Sequence, residues 1–339
     1  MNTFSLRKQK PKMFLLFLFS ITFFLIVIGF FISLKWGQAT ISWRALLEAV
    51  TYQGHDKEHL YIQTLRMPRT FMAFVIGYHM ALAGLLTQLV TKNPIASPHV
   101  FGINAGASLA VVLGLILFPS LTLTFSIYLA FIGAIIGAFL VLSLVGVHQK
   151  QPVRIALAGI AVHFLLSSLT EGLMIMNQHS TDSMIFWLVG AVDQVGWSDL
   201  QTIFPWSIIG SIALLLMLPS FKLLLIDDEV AIGLGQRVLL VKWMALLIVT
   251  LLAGSAVAIC GPIAFVGLLV PHIARLLVGN KLGLLFPFTG LLGGLLLIYA
   301  DFFSRFIAYP YESPVGILTA IIGGPFFIYL ARKKGGAIS

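Results

Sequence analysis

Three groups of residues in this sequence carry chemistry that could be specific. Arg66 and Arg69 flank Pro68, and a guanidinium is a planar fork that grips a carboxylate with two hydrogen bonds. Arg305 is a third such arginine, although Asp301 stands four residues before it, the spacing of an ion pair along one helix face. Asp227, Asp228 and Glu229 form a compact acidic run followed by Ala231, Gly233, Leu234 and Gly235. Acids in the first turn of a short helix complement its dipole, and the small residues after them permit close packing. The third group lies inside an apolar stretch: Ser167, Ser168, Thr170, Glu171 and Met174. A carboxylate in such a stretch is costly and usually faces a cavity.

Each group also has a plainer reading. Arginines at the end of an apolar run can simply reach for water or lipid headgroups. An acidic run can be a solvated loop, and Glu171 can sit at an interface with its carboxylate in water. His55 and His59, four apart in a polar loop, have helix-face spacing but no obvious third ligand, so no metal site is expected.

Other chemistries are missing. No GxxxxGK[ST] phosphate loop and no HExxH occurs, and no nucleophile–base pair stands out. His163 and His272, in or near apolar runs, read as structural histidines. Cys260 is the one cysteine; it excludes an intramolecular disulfide and reads as a buried structural thiol. No catalytic residue, metal or cofactor is assigned to the chain.

The elements that position these residues follow from composition. Of 339 residues, 59% are hydrophobic and only 10% charged, where soluble domains carry about 25%. So few charges cannot cover a water-facing surface, so most of the exterior must face lipid. The net charge of +9 is gathered in short clusters between apolar runs. That is the pattern of cytoplasmic loops rather than of a nucleic-acid face.

A helix needs about 20 apolar residues to cross the hydrocarbon core. Ten segments qualify or nearly qualify: 13–34, 71–90, 100–118, 123–147, 155–176, 202–225, 238–258, 263–278, 282–300 and 315–331. The first, 13–34, is too long for a signal-peptide core of about 7–15 residues and reads as a retained span. With the N-terminus inside, 15 of the 21 Lys and Arg residues fall on the inner side and 9 of the 12 acids on the outer side. The basic ends, 1–12 and 332–339, then share the cytoplasmic side, which requires an even number of crossings. Arg66, Arg69 and Arg305 are against this trend, because they fall outside. The acids at 227–229 are the only ones inside, in a loop at 226–237.

Two breaks are visible. Pro94 biases Asn93 away from helix, so Asn93-Pro94 turns the chain after the second span, with Gln88 packed between helices just before it. Gly261-Pro262 bounds the short eighth span. An internal echo links them: Leu82-Ala83-Gly84 precedes Pro94-Ile95-Ala96, and Leu252-Ala253-Gly254 precedes Pro262-Ile263-Ala264. Membrane transporters often contain such repeats.

Four segments together resemble one family, the FecCD-type permeases of ABC importers for iron chelates, haem and cobalamin. They are the stretch from Leu65 to Val112, FWLVGAVDQVGW from Phe186, DDEVAIGLG from Asp227, and GPIAFVGLLVPHIARLLVG from Gly261, followed downstream by PVGILTAIIGGPFFIYLARKK. The resemblance spans residue 40 to the C-terminus. It implies an all-α membrane domain of ten helices, the type II importer permease fold, with a second permease subunit, a related paralogue or an identical copy. It further implies two separate ATPase subunits that bind ATP and Mg, and an external substrate-binding protein. By resemblance, Asp227 to Gly235 is the coupling helix that enters the ATPase, although Asp227 stands where the family more often has glycine. Arg66, Arg69 and Arg305 would dock the binding protein, and Ser167, Ser168, Glu171 and Met174 would line the pathway. The expected cargo is an iron(III)-siderophore, with a hydroxamate as one type; haem and cobalamin stay open. A stand-alone secondary transporter is the competing class, and the few intramembrane carboxylates speak against it.

Overall fold

The computed structural model describes residues 10–37, 41–53, 56–118, 123–145, 152–177, 187–309 and 311–335. Arg7, Lys8, His55, Lys150, Phe186 and the last four residues lie outside them. Among the described residues the regular structure is entirely helical. The described residues form thirteen α-helices. They are α1 Lys12–Lys35, α2 Trp43–Val50, α3 Lys57–Tyr61, α4 Met67–Val90, α5 Ile103–Leu117, α6 Leu123–Val145 and α7 Pro152–Met176. Then follow α8 Trp197–Leu223, α9 Asp228–Gly233, α10 Val238–Cys260, α11 Val266–Val278, α12 Leu282–Ile307 and α13 Val315–Gly335.

Each of the ten apolar segments read from the sequence falls on a helix, but among the described residues only seven helices are long and apolar enough to cross a bilayer. Ile103–Leu117, Val266–Val278 and Val315–Leu330 are shorter apolar helices. The second segment is longer than expected. A π turn at Ile62–Arg66 joins α3 to α4 into one helical stretch of 34 residues, Lys57–Val90. Arg66 and Arg69 therefore lie within a helix, not beyond its end. The ninth is also longer, so that Asp301 and Arg305 belong to α12.

The chain forms two compact units. The first comprises 1–82, 192–200 and 264–339. Its helices approach through glycine. Gly77 of α4 and Gly293 of α12 meet backbone to backbone, and a side chain on either would strike the other's carbonyl. Phe74 and Tyr78 of α4 lie over Gly294 and Gly290. In lipid, where no hydrophobic effect drives helices together, such close contact is the main source of association. A small cluster of Leu34, Ile41, Leu46, Ile62 and Met67 holds α2 beside the end of α1.

The second unit comprises 83–191 and 201–263. Here α5 crosses α6 at Gly106 and Gly133, and again where Gly102 meets Gly137. Ala105, Val141, Val162 and Leu166 bring in α7. The Gly261-Pro262 break appears as expected. Gly261 has φ +69°, and a Cβ there would collide with the Trp187 carbonyl, so glycine is needed twice over. The Asn93-Pro94 turn is also present, with Asn93 Oδ1 accepting from the Ile95 amide at 3.1 Å. Both echoed motifs thus stand at the same local event: a long helix, a break, then a short apolar helix. Cys260 and Gln88 are buried.

Candidate functional site: two ion clusters and an exposed helix

The three outlying arginines gather in the first unit, at the C-terminal end of α1. That end leaves carbonyls without helical partners. Arg66 Nη1 donates to the carbonyls of Leu34 (2.6 Å) and Lys35 (3.0 Å). Arg305 Nη1 donates to the Ser33 carbonyl at 2.8 Å. The cationic groups thus complement both the orphan acceptors and the negative end of the helix dipole. Asp301 sits between Arg69, whose Nη2 is 2.8 Å away, and Arg305, whose Nη2 is at 2.5 Å. Glu312, on the non-helical segment before α13, closes on Arg69 Nη1. Ser33 Oγ links the cluster to Thr70 at 2.9 Å.

All three arginines are buried. Their guanidinium groups are engaged by carbonyls and carboxylates of the same chain. The i,i+4 pair of Asp301 and Arg305 could be read from the sequence; the return of Asp301 and Glu312 to Arg69 could not, because they lie 232 and 243 residues downstream.

The acidic run falls in the second unit. Asp227 precedes α9 in an extended conformation rather than sitting in its first turn, which Asp228 and Glu229 occupy. Asp228 turns inward. Its Oδ2 accepts from Lys242 Nζ at 2.5 Å, and its Oδ1 lies 2.8 Å from Lys92 Nζ. Lys92 also donates to the Ile226 carbonyl at 2.9 Å. Burial works against this carboxyl's charge. The bond from Lys242 and the contact with Lys92 outweigh it and hold the group below its ordinary range.

Only Ala231 of α9 is buried. Val230, Ile232 and Leu234 are 55%, 60% and 65% exposed. Gly233 and Gly235 have open space where a side chain would be, so the close packing expected of them is not made within this chain. Gly235 has φ +84° and turns the chain out of the helix.

The remaining candidates lie on α7. Ser168 and Glu171 are exposed and Ser167 and Met174 half-buried, while Thr170 faces inward and bonds the Leu166 carbonyl. His59 is a structural histidine: it accepts from the Asp56 amide through Nδ1 (3.1 Å) and meets Glu48 through Nε2 (3.2 Å). Its expected companion His55 lies outside the described residues. Among those described, no group of three metal-ligating side chains occurs.

Known proteins match this arrangement along nearly the whole chain. The sequence profile of the FecCD transport family fits residues 25–333. The Fe(3+)-citrate import system permease protein YfmD of Bacillus subtilis is 44% identical, covering 94% of this chain and 95% of its own. The Fe(3+) dicitrate transport system permease protein FecD of Escherichia coli is 38% identical, covering 88% and 93%. Among solved structures, a metal-chelate type ABC transporter in an inward-facing conformation superposes with a TM-score of 0.82 at 28% identity, covering 94% of this chain and 99% of that one. The chain belongs to the FecCD transport family, as an all-helical membrane permease of the ABC transporter class.

Proposed function

We propose that this chain is the transmembrane subunit of an ATP-driven importer of iron(III) chelates, siderophores in the first place. In this reading ten segments cross the membrane, the three short helices included, and both termini are cytoplasmic. ATP and Mg bind in two partner ATPases, and a second permease subunit completes the pathway.

The observation that carries the reading is α9. Val230, Ile232 and Leu234 are exposed at its tip, where they add nothing to packing within the chain. Exposed apolar clusters of this kind mark protein contacts. The open Gly233 and Gly235 leave room for a close partner surface, which suits insertion into an ATPase. Ser168 and Glu171 support the second subunit. Exposed polar groups on a membrane helix are unfavourable against lipid and favourable against a watery pathway shared with a neighbour. The names of the relatives, for ferric citrate, siderophores and ferric hydroxamates, support the cargo class.

Docking of an external binding protein at Arg66, Arg69 and Arg305 belongs to the same proposal, with an added condition. An incoming carboxylate can reach Arg69 only by exchanging with one already there. Glu312 is the more exposed of its two partners and sits on a non-helical segment, so it is the one that yields.

The test is co-purification and transport. Leu234→Asp with Gly235→Trp is expected to abolish association with the ATPase subunit, and with it uptake of radio-iron(III) citrate and of a radio-iron(III) hydroxamate. Undiminished association would overturn the coupling role. ATP-independent, ion-gradient-driven uptake by the isolated chain would overturn the class.

A further inference from the structure

Asp227, Asp228 and Glu229 are consecutive acids at the start of α9. Their environments separate them. Asp227 and Glu229 are exposed. Asp228 is turned back into the second unit and bridges two lysines from different elements. Lys92 belongs to the turn that closes α4; Lys242 lies in the second turn of α10. Lys92 holds a left-handed conformation, φ +49°, uncommon for a residue with a long side chain. From there its ammonium group reaches both Asp228 and the Ile226 carbonyl. A second tie, from Gln236 Nε2 to the Ser220 carbonyl at 2.9 Å, fixes the exit of α9 to the end of α8. The buried Ala231 between them lets the helix lie flat on what supports it.

A partner contact alone needs none of this. An exposed tip on a slack loop could bind a cleft, but it could not push. Here the base of the tip is fastened at both ends, while its apolar side chains stay outside.

We propose that Asp228, Lys92 and Lys242 form a clamp that makes α9 a lever, tying its movement to the turn after α4 and to α10; Asp228 is a positioning residue, not an ATPase contact. The proposal rests on the reading of α9 as the coupling helix. It gives α4 a particular part, since that helix carries Arg69 in its first turn and ends two residues before Lys92. The binding task and the force-bearing task on α9 are divided: Val230, Ile232 and Leu234 bind, and Asp228 transmits.

The experiment uses the full transporter in proteoliposomes, with radio-iron(III) citrate or a radio-iron(III) hydroxamate as cargo, whichever the wild type takes up. Uptake and ATP hydrolysis are measured together. Asp228→Asn, and Lys92→Met with Lys242→Met, should each keep the ATPase subunit through purification yet lower cargo imported per ATP about tenfold. That is about 1.4 kcal/mol of lost coupling if read as an equilibrium ratio. The triple variant should be no worse than either, because all three changes break one device. Asp228→Glu should recover most of the ratio. A merely structural defect would lower both activities together and leave the ratio alone. An unchanged ratio in Asp228→Asn overturns the proposal, as does loss of the ATPase from that variant, which would make Asp228 a contact. A wild-type chain that holds no ATPase at all would instead overturn the importer reading beneath it.

Discussion

The two ion clusters share a plan and differ in their solvent. Each places one aspartate between two cations drawn from different elements. Around Asp301, whose side chain is 1% exposed, the cations are arginines, and the partners include helix-end carbonyls. Around Asp228, 36% exposed, they are lysines. Arginine keeps its charge when dry and spreads it over a rigid fork; lysine is strongly hydrated and suits a wet site. A buried pair cannot lose one member without stranding the other. The Asp228–Lys92 pair, about a third exposed on both sides, can part and re-form with water taking up the slack, while Lys242 stays largely buried. The first cluster is therefore a fixture and the second a joint.

Removing each aspartate in turn is the strongest test of that contrast. Asp301→Ala should destabilise the protein by about 3–5 kcal/mol, because two arginines remain buried with one counter-charge fewer. The measurement is thermal unfolding in detergent, and a loss below that of a surface pair would erase the distinction. Glu312→Gln should do much less to folding, about 1 kcal/mol, since a single charge-assisted bond weakens while Asp301 stays. It should instead tighten capture of the binding protein, measured as its dissociation constant at fixed salt. Unchanged affinity would mean that Glu312 does not occupy the docking position.

The smallest effects belong to the joint. Lys92→Met should cost below about 1 kcal/mol in stability. Raising salt to about 1 M, where screening acts within roughly 3 Å, should weaken the Asp228 contacts and leave the Asp301 cluster intact. Acid gives the sign. The Asp228 carboxyl lies below its ordinary 3.8 in the folded protein. Its stabilising contribution is thus full above that value and is lost as pH falls through the lowered one. Hydrogen exchange at the amides of α9 should be insensitive to this group from neutrality down to the ordinary carboxylate range, and should report release of the helix only below it.

Much of the fold was legible because membrane helices announce themselves by composition. Each of the ten apolar segments carries a helix, and the breaks at Asn93-Pro94 and Gly261-Pro262 stand where proline and glycine chemistry put them. Lengths were less legible. In the sequence the second apolar segment starts at residue 71, because Arg66 and Arg69 look like the end of an apolar run. Charge in a sequence marks where water could be, but a guanidinium fully engaged by carbonyls and carboxylates needs no water. The carboxylates that engage Arg69 come from α12 and the segment after it, and no local pattern links them to it. The same holds for α9: its acids and small residues could be read, while the inward turn of Asp228 depends on Lys92, far upstream. What periodicity and charge counting convey is which residues lie on which element; which polar groups satisfy one another is decided by tertiary approach.

The π turn at Ile62–Arg66 bears on how the chain could change over time. Such a turn is an α-helical turn carrying one residue more than the α repeat needs. Deleting Thr64 would restore an ordinary helix and rotate everything before it by about 100° relative to everything after. Arg66 and Arg69 would remain on one side of that seam, whereas Lys57, His59 and Tyr61 would swing on the other. The turn is thus a swivel by which descendants of this chain could re-aim the segment before α4 without disturbing the arginine cluster below it.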